Sequence, residues 1–300
     1  MKVGVIGANG FLGHHLVTVL EERQKDLILF GRAEVTNHHQ EYYQLDLQNE
    51  SDFDNIPPLD FLYYLASDSI PSSTWDYPLL EIENNLLPFL KLINRLCENG
   101  LKRMAFISSG GTIYGDTHGK IGEAHVKRPK SPHGITKLSM EYWCYYFFEK
   151  FALSTDIYRV SNIYGEGQNT GKGLGIINTW LELIHQGKPV SLYGQGEHIR
   201  NFIYVQDVAL AIATSLDFDD EGINLFNLSS HQSLSLADLL KDIEQILNRK
   251  IQVNFLPQRA SDVLSIDLDN RRFLERNPSF QFTPLEEGIV RTYQHMTKNE

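Results

Sequence analysis

The chain is short of cysteine, of clustered cations and of long apolar runs, and each shortage closes off a class of function. Its 300 residues hold two cysteines, Cys97 and Cys144, too few and too far apart for a disulfide framework or a metal site. Both sit in apolar, helix-patterned stretches and read as buried free thiols, and no metal is expected. No basic run exceeds Lys127-Arg128, and the formal net charge is −11. A surface that tracks nucleic-acid phosphates needs clustered Lys and Arg, so no nucleic-acid partner is expected. No uninterrupted apolar run reaches the roughly 20 residues that span a bilayer, which argues against a membrane partner. Met1 to Leu20 is apolar enough to mimic a leader, but it carries Gly4, Gly7, Gly10, Gly13 and His14-His15 and lacks a small-residue cleavage site. A cytoplasmic location is the expectation.

What is present is an ordinary globular composition, 42% hydrophobic and 22% charged, which argues against disorder. The length suits one large α/β unit or a large domain with a small lobe. Lys2-Val3-Gly4-Val5-Ile6 has the apolar character of a strand buried on both faces. The loop Gly7-Ala8-Asn9-Gly10-Phe11-Leu12-Gly13 follows, and Phe11, Leu12, Leu16, Val19 and Leu20 then recur at helical spacing. Strand, glycine loop and helix in that order suit a dinucleotide: the backbone turns tightly, approaches a pyrophosphate, and offers it the N–H groups of the helix start. The second strand, Leu27 to Phe30, ends in Gly31-Arg32. A carboxylate there would repel a 2′-phosphate and an arginine can pair with one, so Arg32 leans the cofactor toward NADP over NAD.

Further along, Arg103 to Ile107 reads as a buried strand with Ser108-Ser109 at its C-terminal end, followed by Gly110-Gly111-Thr112-Ile113-Tyr114-Gly115. Ligands bind at that edge of an open parallel sheet. After Ser131-Pro132, the residues from Ile135 to Leu153 contain few breakers and predict a long helix, with His133 and Lys137 at i and i+4 on one face.

The glycine loop, the Ser108–Gly115 string and Ser131-Pro132-His133-Gly134-Ile135-Thr136-Lys137 together resemble the extended short-chain dehydrogenase/reductase family, of the NAD-dependent epimerase/dehydratase type that includes UDP-glucose 4-epimerases. The likeness runs from about Lys2 to His295. It implies a doubly wound parallel Rossmann sheet, with a smaller, interleaved C-terminal substrate lobe. Residues 1–163 plus about 199–230 would form the dinucleotide-binding domain, and about 164–198 plus 231–300 the lobe. It implies NADP or NAD contacts at Gly7, Asn9, Gly10, Phe11, Leu12, Gly13, Arg32, Asp46, Leu47, Leu65, Ala66, Ser67, Asn85, Ser108 and Lys137. In the family a tyrosine four residues before the lysine transfers the proton; here His133 stands in that place. The hydroxyl that assists it would come from Ser109 or Thr112, because the most usual serine position falls on Gly110.

Imidazole is shorter than phenol, and a general base must come within about 2.6–3.2 Å of its proton or reach it through a water. Three readings stay open: His133 carries the proton, another hydroxyl such as Tyr114 does, or hydride chemistry is lost. The resemblance places Tyr114, Asn162, Arg200 and Arg259 against a nucleotide-sugar substrate, with Asn201 in place of a usual aspartate. The implied activity is epimerisation of a UDP-hexose by hydride transfer at a sugar carbon. The rivals are NADP-dependent reduction of a nucleotide keto sugar and silent binding of cofactor or nucleotide sugar. The helix after Lys137 carries Met140, Tyr142, Trp143, Tyr145, Tyr146, Phe147, Phe148 and Phe151. Aromatic nearly all round, it is expected to be buried on more than one side, and the resemblance implies a homodimer through it.

Overall fold

Apolar residues on both faces of the early strands dictate a sheet covered on both sides. In β1 (Lys2–Ile6), Val3 and Val5 enter one core and Ile6 another. In β2 (Asp26–Gly31), Leu27 and Leu29 oppose Ile28 and Phe30. In β4 (Phe61–Tyr64), Phe61 and Tyr63 oppose Leu62 and Tyr64. With side chains alternating across each strand, two cores form, one per face. The computed structural model describes residues 1–33, 39–69, 75–171, 175–230, 233–258 and 263–298.

These strands join β3 (Glu41–Gln44), β5 (Arg103–Ser109), β6 (Ser154–Val160) and β10 (Ile223–Leu228) in a seven-stranded sheet ordered β10-β6-β5-β4-β1-β2-β3. Every pairing in it is parallel. Helices α1 (Phe11–Glu22) and α7 (Val205–Ala213) pack together over one face. Over the other lie α3 (Leu87–Glu98), which follows the short α2 (Leu79–Glu81) and a π-helical turn Ile82–Leu86, and α5 (Pro132–Phe151). Between β5 and α5 sits the short α4 (Gly110–Ile113).

The chain leaves this sheet at Ser161. Strand β7 (Asn162–Tyr164) pairs with β9 (Ile199–Tyr204), and β9 takes β11 (Ser233–Ser235) antiparallel on its other side. A two-stranded unit of β8 (Val190–Tyr193) and β12 (Val253–Leu256), with α6 (Ile176–His185), α8 (Leu236–Leu247), α9 (Arg271–Arg276) and α10 (Leu285–Lys298), completes the architecture. Among the described residues no helix is long and apolar enough to cross a membrane.

The aromatic helix departs from its sequence-based expectation. Its inward face holds His133, Gly134, Thr136, Lys137, Met140, Glu141, Cys144 and Phe147. Ile135, Tyr142, Tyr145 and Tyr146 stand on the outside, Tyr142 being 65% exposed. Within one chain these four side chains stay substantially exposed.

Candidate active site

The strand order reverses between β1 and β4, on whose outer ends an open α/β sheet binds its ligands. Gly7 turns the chain there with a φ of +86°, a left-handed conformation that L side chains rarely adopt, and Gly13 lets the first turn of α1 close on the loop. A Cβ at Gly13 would stand 2.1 Å from the Gly7 carbonyl oxygen. The first turn of α1 carries no acidic side chain, so its N–H groups face no competing carboxylate.

A cavity of about 360 Å³ opens at this reversal. Ten residues predicted to hold the cofactor line it together: Gly7, Asn9, Gly10, Arg32, Asp46, Leu47, Leu65, Ala66, Ser67 and Asn85. Phe11, Leu12 and Gly13 follow as the start of α1. A side chain at position 31 would have to displace the ends of two others. A Cβ there would meet the Tyr42 hydroxyl at 2.7 Å and Asn9 Nδ2 at 2.9 Å, and these two atoms are hydrogen-bonded to each other at 2.9 Å. Arg32 is not a lone cation, since its Nη1 meets Asp68 Oδ1 at 2.8 Å. The bare glycine turn, the helix start and the lined cavity fit a dinucleotide.

His133 and Lys137 lie in the first two turns of α5, which Ser131 caps by accepting the Gly134 N–H at 3.1 Å. Both are buried. Lys137 Nζ donates to the Ile107 carbonyl at 3.0 Å and lies 5.1 Å from the Phe106 ring centroid. Burial pulls its pKa down from 10.5 to about 8, against the opposing pull of Glu81 and Glu141. His133 Nδ1 lies 3.3 Å from Ser69 Oγ and 3.4 Å from Glu81 Oε1. The shared neighbour is Asn85, whose Nδ2 donates to Ser69 Oγ and to Glu81 Oε2, both at 3.1 Å. Asn85 Oδ1 accepts the Asp68 N–H at 2.8 Å. As Asn85 also lines the cavity, the imidazole stands one residue behind the cavity wall.

The hydroxyls divide. Ser109 ends β5 half-buried, and Thr112 Oγ1 is buried without a hydrogen-bond partner among the described residues. Thr112 also adjoins the base of α5, as a Cβ on Gly134 would come 2.6 Å from its carbonyl oxygen. A serine at Gly110 would not fit, because its Cβ would lie 2.4 Å from Leu268 Cδ1 and 2.8 Å from the Arg159 carbonyl oxygen.

Ser108 and Tyr114 turn the other way, into a buried polar network that their sequence roles did not foresee. Ser108 Oγ donates to Glu141 Oε1 at 2.5 Å. Arg159 grips the same carboxylate, Nε to Oε1 at 3.0 Å and Nη2 to Oε2 at 2.6 Å. Arg159 Nη1 donates to the Tyr114 hydroxyl at 2.8 Å, which donates to Asn227 Oδ1 at 2.7 Å. Burial pushes the Tyr114 phenol up to about 12. Enclosed, doubly engaged and hard to ionise, it faces this network and is absent from the residues that line the cavity. Ser108 likewise has its hydroxyl directed at Glu141 and not at the cavity.

In the lobe, Asn162 Nδ2 donates to the Asn201 carbonyl at 2.9 Å. Asn201 Oδ1 accepts the Leu268 N–H at 2.7 Å, so this buried asparagine ties β9 to the segment around Leu268. Arg200 directs its guanidinium to the carbonyls of Ile199, Leu264 and Val263. Arg259 lies outside the described residues. Sequence reasoning missed Glu81, Ser69 and Asp68. An acid and an amide at i and i+4, Glu81 and Asn85, was the available signal.

The model of the NAD dependent epimerase/dehydratase family matches residues 3–229. The dTDP-4-dehydro-6-deoxyglucose reductase of Escherichia coli is 27% identical over 303 residues, which cover 96% of this chain and 96% of that protein. The UDP-glucose 4-epimerase of Thermus thermophilus, solved in complex with NAD, matches with a TM-score of 0.90 at 25% identity, covering 99% of both chains. The Thermotoga maritima UDP-glucose 4-epimerase, solved with UDP-glucose, matches with a TM-score of 0.92 at 25% identity over 100% of this chain and 99% of that one.

Proposed function

The chain belongs to the NAD dependent epimerase/dehydratase family, and from that premise we propose that it epimerises a nucleotide-activated hexose, of the UDP-hexose kind, by hydride transfer at a sugar carbon. One observation carries the reading. An imidazole and a lysine project from the same helix start, and an asparagine of the cofactor groove contacts both side chains beside the imidazole. The bound dinucleotide supplies the place where a hydride is taken up and given back. His133, standing where a tyrosine is expected, takes the hydroxyl proton of the sugar carbon and later returns it. Lys137 keeps a positive charge near the nicotinamide ribose. The Thr112 hydroxyl, unpartnered among the described residues, or Ser109, donates to the sugar oxygen. Asn162, Arg200 and Arg259 are assigned to the nucleotide diphosphate, and about 164–198 plus 231–300 to the substrate lobe.

Arg32 by itself leaned toward NADP. Its pairing with Asp68 puts a carboxylate beside the guanidinium, which disfavours a 2′-phosphate, and the Thermus relative was solved with NAD. NAD is the proposed cofactor. A homodimer through the outer face of α5, in the cytoplasm, completes the proposal. A second reading, reduction of a nucleotide keto sugar, is favoured by the Escherichia coli reductase, which matches along nearly its whole length.

The test is turnover of UDP-glucose by wild type, His133→Ala and His133→Tyr, with the mass of any cofactor released from the purified protein. Epimerisation without added cofactor, reduced about 10²- to 10⁴-fold in His133→Ala, is the expected outcome for a lost acid–base group. Consumption of added NADPH with a keto sugar establishes the reductase. An inert wild type that gains activity only as His133→Tyr leaves a binding protein.

A further inference from the structure

Two polar groups converge on one nitrogen of His133, a third orders them both, and one of the two is a carboxylate. The Asp68 N–H fixes the orientation of Asn85, since only Oδ1 can accept it. Both protons of the amide then point at Ser69 Oγ and Glu81 Oε2. Glu81 is 1% exposed, and a carboxylate so buried persists as an anion only where donors and cations surround it. Asn85 supplies a donor, and Lys137 lies close enough for the Glu81 charge to oppose the fall in its pKa. Glu81 Oε1 then stands 3.4 Å from His133 Nδ1. An anion at that distance favours a proton on Nδ1, the Ser69 hydroxyl 3.3 Å away can turn a lone pair to the same proton, and a proton on Nδ1 leaves Nε2 as the lone-pair nitrogen.

We infer that Glu81 is a positioning residue, holding His133 in the Nδ1–H tautomer so that Nε2 is the atom that takes the proton. The inference deepens the assignment of His133 as the proton carrier and rests on it. Glu81 touches neither sugar nor cofactor in this role; it acts through the imidazole.

The same geometry rules out a different activity. Ser69, His133 and Glu81 have the composition of a nucleophilic triad, but such a triad needs hydroxyl and carboxylate on opposite ring nitrogens. Here both approach Nδ1, so Ser69 is not activated for attack. The helix is irregular at this place: Glu81 ends α2, and the turn that carries Asn85, Ile82–Leu86, is π-helical. Such turns recur where a helix is bent to function.

Protein labelled with ¹⁵N at histidine reports the tautomer directly in two-bond ¹H–¹⁵N spectra, with His133→Gln identifying the resonances. The full-length wild type should show Nδ1 protonated and Nε2 bare in the neutral ring. Glu81→Gln should raise the Nε2–H population at least tenfold, and Glu81→Asp should restore part of the wild-type ratio. A wild type with Nε2–H, or a tautomer ratio indifferent to Glu81→Gln, overturns the inference. Should Glu81→Gln not fold, the wild-type spectrum alone decides. Because the readout needs no turnover, a protein with the Nδ1–H tautomer but no epimerase activity sinks the proposed reaction, and with it the proton transfer at Nε2, and leaves only the hold of Glu81 on the tautomer standing.

Discussion

Lys137 is a cation in a place that disfavours cations. Burial outweighs the attraction of Glu81 and Glu141, and its pKa falls to about 8 from 10.5. Between those two values the unfolded chain holds a proton that the folded chain has released, so this group makes stability rise with pH across that window. Function runs the opposite way, because the ammonium that would face the ribose disappears as pH climbs through about 8. NAD affinity, followed by calorimetry from about pH 7 to 9.5, should weaken above about pH 8 in the wild type. In Lys137→Met the profile should be flat and weaker throughout. A wild-type profile with no inflection in that range is incompatible with a charge role for Lys137.

At the scale of the element, α5 is both a structural strut and the carrier of the site. Ser131 caps it and Pro132 is its first residue, three ahead of Ile135 where the sequence reading began it, and Ala152 ends it in a left-handed conformation with φ of 56°. The cap and the buried ion pair on the same helix should respond differently to mutation. Ser131→Ala removes one capping acceptor and should cost about 1 kcal/mol. Glu141→Gln strands the buried Arg159 charge and should cost about 3–5 kcal/mol. Urea unfolding of the two variants checks the contrast, and equal losses would show that the Arg159–Glu141 pair does not anchor this helix. The position of α5 was legible from the lack of breakers between Ile135 and Leu153. Which of its faces stays open was not, because a helix aromatic nearly all round has no pattern to tell inside from outside.

For the whole molecule, the open face of α5 is the feature a single chain leaves unexplained. Ile135 is 56% exposed and Tyr142 65%, and Leu79 and Ile82 are exposed beside the same layer. Apolar residues gathered in this way mark an interaction surface. Sedimentation of the wild type should show a dimer, and Ile135→Lys with Tyr142→Glu should yield a folded monomer. A monomeric wild type would remove the dimer from the proposal.

The Rossmann half was readable in advance because its signals are local. A strand pattern, a glycine turn and a helix pattern within Lys2 to Leu20 specify one another through backbone geometry and hydrogen bonding between near neighbours. Ten of the residues assigned to the cofactor line one cavity, since strand ends that share a sheet edge come together once the sheet order is known. The direction of individual side chains was settled only by partners far along the chain. Leu268 fills the space a serine at Gly110 would need, and Arg159 and Asn227 draw Tyr114 inward. Glu81 reaches His133 only after α2, which precedes β5 in the chain, packs against α5, which follows it. Sequence alone determined the strand, glycine turn and helix start at Lys2 to Leu20, as their geometry belongs to one short stretch of backbone. Tertiary structure decided which polar groups meet at the reacting end, as buried donors and acceptors must pair with whatever the fold sets beside them.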